Sequence, residues 1–228
     1  YLVQLKDIKI PNLPVEEYTK EERMRLQKAF GYTYEEYRSS IGKMALNGVE
    51  ATASMGIDTP LAVLSHEHQP LFNYFKQLFA QVTNPPIDCI REEIVTSTSV
   101  YVGRDGNLLE EEPKNCQVLK INNPILTNTD MLKIKNMKVE GFKAVTVPIT
   151  YYKSAPLDRA MDRLFVEVDR AHRAGANILI LSDRGVDENH VAIPSLLAVS
   201  AVHQHLVKTK KRTSLAIILE SGEPREVH

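Results

Sequence analysis

After Cys116 the sequence alternates between short β-branched runs and longer amphipathic ones, and that alternation limits the possible folds more than any other feature. The strand-like runs are Gln117–Ile121, Phe142–Ile149, Asn177–Leu181 and Leu215–Leu219. Helical patterns lie between them at Thr127–Lys135, Pro156–Ala174 and Pro194–Val207. Strands joined by helices cannot be hairpin partners, so the pattern predicts parallel pairing through right-handed crossovers. Four such units amount to half of a (β/α)8 barrel or to a small doubly wound sheet, which sets the class as α/β. Pro156 and Pro194 suit a first helical turn, where a missing N–H costs nothing, and Gly175 suits a helix stop. Asp169 and Arg173, four residues apart, read as an ion pair on the solvated face of their helix. There is no internal repeat of the kind a solenoid requires.

Residues 1–115 have another texture, and the expected organisation is a mostly helical part over 1–115 followed by a βα part over 116–228. Helical patterns run over Lys20–Phe30, Thr33–Asn47, Pro70–Val82 and Asp88–Val100. Gly31 follows the first as a stop, and Thr33 with Glu36 has capping-box spacing for the second. In the third, Leu71, Phe72, Phe75, Leu78, Phe79 and Val82 recur at one-face spacing and predict a buried amphipathic helix. Thr83-Asn84-Pro85-Pro86 then breaks the pattern. Two consecutive prolines stiffen the chain and bias Asn84 and Pro85 away from the α region, giving a rigid polar elbow. Gly103-Arg104-Asp105-Gly106 is a turn signature.

Composition excludes several classes of partner. A formal net charge of −1 provides no global field to steer nucleic acid or an anionic membrane. The basic run Lys208, Lys210, Lys211 and Arg212 falls where a helix should end and complements its dipole. No apolar run approaches the roughly 20 residues of a membrane helix, and no signal peptide is visible. Cys89 and Cys116 are too few and too far apart for a metal cluster, and a reducing cytoplasm suits them. Cys89 lies inside a helical pattern and reads as a buried structural thiol. The start at Tyr1 rather than Met, and the stop at His228 just beyond an apolar strand, lead us to expect a piece of a longer polypeptide.

In βα architectures chemistry collects at the C-terminal ends of strands. Here those ends carry Asn122-Asn123-Pro124, Tyr151-Tyr152-Lys153, Ser182-Asp183-Arg184 and Glu220-Ser221-Gly222-Glu223. As an active-site mouth this rim would use Asp183 or Glu220 as general base, with Lys153 and Arg184 beside them. The plainer reading is that Asp183 and Arg184 pair with neighbouring loops while Ser182 and Ser221 cap the next segments. A phosphate site would need a glycine-rich loop feeding a helix, and Ser221-Gly222-Glu223-Pro224 is the only short loop of that kind. His203 and His205 are separated by about 200° on a helix and cannot share a metal, and His66 and His68 complete no ligand set with Glu67. No nucleophile elbow is present.

Several segments together carry a resemblance: SMGIDTPLAVLS (54–65), FNYFKQLFAQVTNPPIDCIREEIV (72–95), NNPILTN (122–128), ILILSDRG (178–185), IPSLLAVSAVHQHL (193–206) and ESGEPREVH (220–228). The chain resembles the central domain of the glutamate synthase large subunit from about Ser54 to His228. It departs at Thr150–Ala160, where Ser154, Ala155 and Pro156 stand in place of expected glycines. The resemblance implies an enzyme that forms L-glutamate from L-glutamine and 2-oxoglutarate. Glutamine is hydrolysed in an amidotransferase domain, and ammonia passes through an internal tunnel to an FMN-binding barrel fed by an iron–sulfur cluster. The central domain then looks like a flavin-free relative of that barrel. It links the two catalytic domains of the same chain, with a small electron-donating subunit as a further partner, and contributes tunnel wall around Met55, Thr83 and Asn84. No catalytic, cofactor-binding or metal residue is expected in this stretch, and FMN and the cluster would lie elsewhere. Two other readings differ in class: a free-standing lyase or aldolase using Lys153, Asp183, Arg184 and Glu220, and a module that holds an oligomer together.

Overall fold

The computed structural model describes residues 2–52, 56–79, 86–107 and 109–226. These residues form two compact units, one of 18–91 with 222–228 and one of 1–17 with 92–221.

The first unit is helical. Helix α1 (Lys20–Ala29) begins with a capping box in which Thr19 accepts from the Glu22 N–H. It ends in the expected place: Gly31 takes φ +66°, and its N–H and that of Tyr32 return to the carbonyls of Lys28 and Gln27. The Thr33–Glu36 box is also present and starts α2 (Tyr34–Glu36). The expected second helix is divided, because a π-helical turn over Tyr37–Ile41 separates α2 from α3 (Gly42–Asn47).

The third predicted helix is not formed as read. Its start is a 3-10 turn, Leu71–Phe75, after which Gln77 is extended and bridges Gly56. Phe75, Leu78 and Phe79 are exposed. Helical periodicity yields a stable helix only where its apolar face is buried, and these side chains bury little against the unit. α4 (Cys89–Val95) is shorter than read and leaves Cys89 exposed at its first position, correcting the buried-thiol expectation. Thr96 Oγ1 donates to the Glu92 carbonyl at the end of that helix, and the hydroxyl- and β-branched-rich stretch beyond leads into a strand.

The second unit holds two sheets of three strands each and a two-stranded ribbon. β1 (Val3–Gln4) pairs parallel with β3 (Val118–Ile121), whose other edge takes β2 (Val100–Gly103) antiparallel. α5 (Asn128–Asn136) follows, with a capping box between Thr127 and Asp130. β4 (Ala144–Pro148), β6 (Ile178–Ser182) and β8 (Ala216–Glu220) form the predicted parallel sheet in the order β4-β6-β8. β5 (Thr150–Tyr152) and β7 (His190–Ala192) make the ribbon, and α6 (Leu157–Arg173) and α7 (Ser195–Lys208) supply the crossovers. The α/β class and the parallel sheet are therefore as read, but the run at 117–121 joins another sheet. Apolar alternation shows that a run can be a strand without naming its neighbours.

β6 is buried along its whole length, and the alternation of its side chains decides the layering. Leu179 and Leu181 pack with Leu164, Val168, Val202 and Leu206 of α6 and α7. Ile178 and Ile180 face the other way, onto Leu119, Ile121, Met131 and Ile134. Helices α6 and α7 thus cover one face, while α5 and the β1-β3-β2 sheet cover the other. Asp169 does not pair with Arg173: its Oδ1 accepts from Lys211 Nζ at 2.7 Å and lies 3.1 Å from His205 Nε2. Helix α7 brings His205 within reach of α6, so a tertiary partner displaces the local one. No helix among the described residues is long and apolar enough to cross a membrane.

Candidate functional site

The C-terminal ends of the parallel strands are aligned, with Pro148, Ser182 and Glu220 opposite one another in register. That alignment puts Ser182 beside Glu220, and Ser182 Oγ donates to Glu220 Oε2 at 2.6 Å. Lys135 Nζ, from the last turn of α5, reaches both carboxylate oxygens at 2.9 Å. Arg184 Nε donates to Glu220 Oε1 at 2.9 Å. The remaining arms of the Arg184 guanidinium go to Glu16 at 2.8 Å and to Asn128 Oδ1 at 3.0 Å. Beside this knot is a cavity of only about 60 Å³, lined in part by Val15, Met131 and Leu132.

Of the four rim residues singled out from sequence, the structure joins Arg184 to Glu220. Asp183 is buried, and its N–H donates to the Glu220 carbonyl at 3.1 Å. Lys153 lies apart: it is exposed, and its backbone N–H donates to the Asn189 carbonyl. Sequence reading missed Lys135, Glu16 and Asn128. The docking of α5 brings in Lys135 and Asn128, and the segment before α1 brings in Glu16.

The chemistry of the knot is that of a closed charge cluster. Burial pushes the Glu220 carboxyl up, but hydrogen bonds from Ser182, Lys135 and Arg184, with the charge of Lys135, outweigh it and hold the group below its ordinary range. A carboxylate stabilised in this way is a weak base, poorly matched to proton abstraction near neutral pH. Both cations of the cluster are committed to carboxylates, which argues against the lyase geometry.

The glycine in the loop after β8 is accounted for by packing. A side chain at Gly222 would meet the Phe30 ring at 2.8 Å, so this glycine accommodates an aromatic ring. Tyr32 Oη donates to the Gly222 carbonyl at 2.6 Å. Arg225 follows, with its side chain only 3% exposed. Its Nη2 donates to the Phe30 carbonyl at 2.7 Å and its Nη1 to the Glu36 carboxylate at 3.1 Å. The guanidinium carbon sits 3.8 Å from the centre of the Tyr32 ring and 5.4 Å from that of Phe72. Lys76 and Glu226 form an ion pair at 2.8 Å. The motif at 220–228 is thus split between two arrangements, Glu220 in the strand-end knot and Gly222–Glu226 in the helical unit.

His203 and His205 each have their own partner. His205 faces Asp169 and stacks on Phe165, while His203 Nδ1 accepts from Arg212 Nε at 3.0 Å. Two members of the basic run at the end of α7 make such contacts, Lys211 with Asp169 and Arg212 with His203 and the Leu215 carbonyl. Met55, Thr83 and Asn84 lie outside the described residues.

A layered α/β domain whose strand-end charges neutralise one another is the class of protein that fold and site define. Comparison with known proteins narrows it. The family model for the glutamate synthase central domain matches residues 25–228, and the chain belongs to that family. It is 46% identical over 202 residues to the large chain of glutamate synthase [NADPH] from Bacillus subtilis, covering 89% of this chain and 13% of that one. It is 43% identical to glutamate synthase [NADH] from Schizosaccharomyces pombe over 205 residues, 88% of this chain and 10% of the relative. A ferredoxin-dependent glutamate synthase 2 from Synechocystis is 39% identical over 209 residues, 90% of this chain and 13% of the relative. The chain therefore spans about a tenth to an eighth of the length of these relatives.

Proposed function

We propose that this chain is the central connecting domain of a glutamate synthase. In that role it links the glutamine amidotransferase domain to the FMN-binding synthase domain of the same polypeptide and lines part of the ammonia tunnel between them. The enzyme as a whole would form L-glutamate from L-glutamine and 2-oxoglutarate in the cytoplasm. FMN and an iron–sulfur cluster would sit in its other parts, and a small subunit could deliver electrons. The observation that carries the reading is the family match across 25–228. The closed cluster around Glu220 supports a non-catalytic role for this stretch, because its cations are already neutralised. The parallel β4-β6-β8 sheet supports a further reading, that the βα part is a fragment of a TIM-like barrel.

The elbow Thr83-Asn84-Pro85-Pro86 and Met55 are the proposed tunnel segments. Ammonia needs a narrow, water-poor path with a few hydrogen-bonding groups, or it escapes and is protonated. A hydroxyl and an amide on a chain stiffened by two prolines would provide such groups, and Met55 would provide an adaptable apolar gate. In the intact enzyme, Thr83→Trp should leave glutamine hydrolysis running while glutamine-dependent glutamate synthesis falls and free ammonia accumulates. Unchanged one-to-one coupling in a folded Thr83→Trp enzyme would remove the elbow from the tunnel wall.

A further inference from the structure

The helical unit has an unusual centre. Among its described residues Arg225 alone is buried, and it lies in Gly222–Glu226, far along the sequence from the helices it contacts. Three residues of that segment have a physical reason. Gly222 leaves room for the Phe30 ring. Arg225 caps the C-terminal end of α1, where the carbonyls of Phe30 and Gly31 carry the negative end of the helix dipole. The same guanidinium lies over the rings of Tyr32 and Phe72, a position in which a planar cation gains from ring faces. Glu226 then holds Lys76, whose side chain is only 16% exposed.

Phe72 and Lys76 bracket the Leu71–Phe75 turn. The next residue, Gln77, accepts from the Ile57 N–H at 2.8 Å and bridges Gly56. Gly56 directly follows Met55, and Gln77 stands six positions before Thr83. The contacts of Gly222–Glu226 therefore reach the stretch that leads toward Thr83 directly, through Phe72 and Lys76, and the stretch after Met55 only by way of Gln77.

We propose that Gly222–Glu226 is a strap that fixes the Phe72–Gln77 segment, and that Arg225 and Glu226 are positioning residues for ammonia transfer. The second half of this inference rests on the tunnel reading above. Arg225 sets the place of Phe72 through its ring face, Glu226 sets that of Lys76 through charge, and the Gln77–Gly56 bridge passes that placement to the second stretch. Neither residue touches substrate. Their contribution is to keep the path from loosening, which would show as leaked ammonia rather than as lost turnover at either end.

The test uses the intact glutamate synthase with Lys76→Glu, Glu226→Lys and the double reversal, since Arg225 variants risk unfolding the unit. Two quantities are read: hydrogen exchange in the 71–79 peptide, and glutamine hydrolysed per glutamate formed. Each single reversal should speed exchange in 71–79 about fivefold and raise the hydrolysis ratio above one, and the double reversal should restore both. Exchange that does not respond to the single reversals, or is not restored by the double one, overturns the strap. Restored exchange with a ratio fixed at one throughout overturns the positioning role. Thr83→Trp run alongside separates the two failures: if it uncouples the enzyme, only the strap's role in transfer falls; if it does not, the tunnel reading falls with it.

Discussion

The βα unit and the helical unit reach order by different means. In the former, the four residues Ile178–Leu181 are fully enclosed, and apolar clusters lie on both faces of the β4-β6-β8 sheet. In the latter, no described residue of 18–91 is buried, and Phe75, Leu78, Phe79, Leu46 and Ile90 are exposed. Its interior point is an arginine. Area removed from water stabilises the first; directional bonds to helix-end carbonyls and a carboxylate stabilise the second. The difference teaches that a region can look amphipathic in sequence yet draw its order from a few polar contacts, and that such a region should be sensitive to single polar substitutions.

The strongest way to break this comparison is Leu179→Ala. Truncating a side chain enclosed in β6 should cost about 2–5 kcal/mol, read as a lowered denaturant midpoint. A loss below 1 kcal/mol would mean that the βα core is not what sustains this unit.

Arg225→Met keeps much of the length and removes the charge. It should cost about 2 kcal/mol locally, by removing the donor to the Phe30 and Gly31 carbonyls and the cation that pairs with Glu36. Amide exchange at 26–36 and 71–76 should rise while the β6 amides keep their protection. Equal loosening of both segments would show that the arginine is not a local device.

The smallest effect belongs to the strand-end knot. Glu220→Gln should cost about 1–2 kcal/mol at neutral pH through lost charge-assisted bonds. It should also change the acid limb of stability. The folded carboxyl lies below its ordinary value, so its contribution is complete above the unfolded pKa and is lost as pH falls through the folded one. The wild-type protein should therefore lose stability on acidification more steeply than Glu220→Gln below the ordinary glutamate range. Identical slopes for the two would exclude Glu220 as a titrating contributor.

Much of the βα unit was legible residue by residue. The positions of β4, β6 and β8 and of α5, α6 and α7 followed from β-branched runs, helical spacing and Pro156, Pro194 and Gly175, because those signals act within a few residues. The Leu71–Val82 pattern misled over its described part, since its spacing promised a buried helical face and Phe75, Leu78 and Phe79 are exposed. The Asp169–Arg173 pair misled for a related reason: a spacing rule for an isolated helix yields once another element brings Lys211 and His205 to the same carboxylate.

The sequence by itself determined the α/β class, the parallel strands, the capped start of α2, and the segments that mark the family. All of these depend on local propensity or on the order of residues along the chain. Only the tertiary structure decided that β3 pairs with β1 and β2, that Lys135 and Ser182 join Arg184 on Glu220, and that Arg225 closes on α1. The side-chain partners lie tens to nearly two hundred positions apart, from 36 for Arg184–Glu220 to 195 for Phe30–Arg225. No periodicity encodes such pairings. They follow from which backbone edges and side-chain charges meet once the apolar faces are buried, when a carboxylate or guanidinium withdrawn from water must find its counterpart in the space that remains.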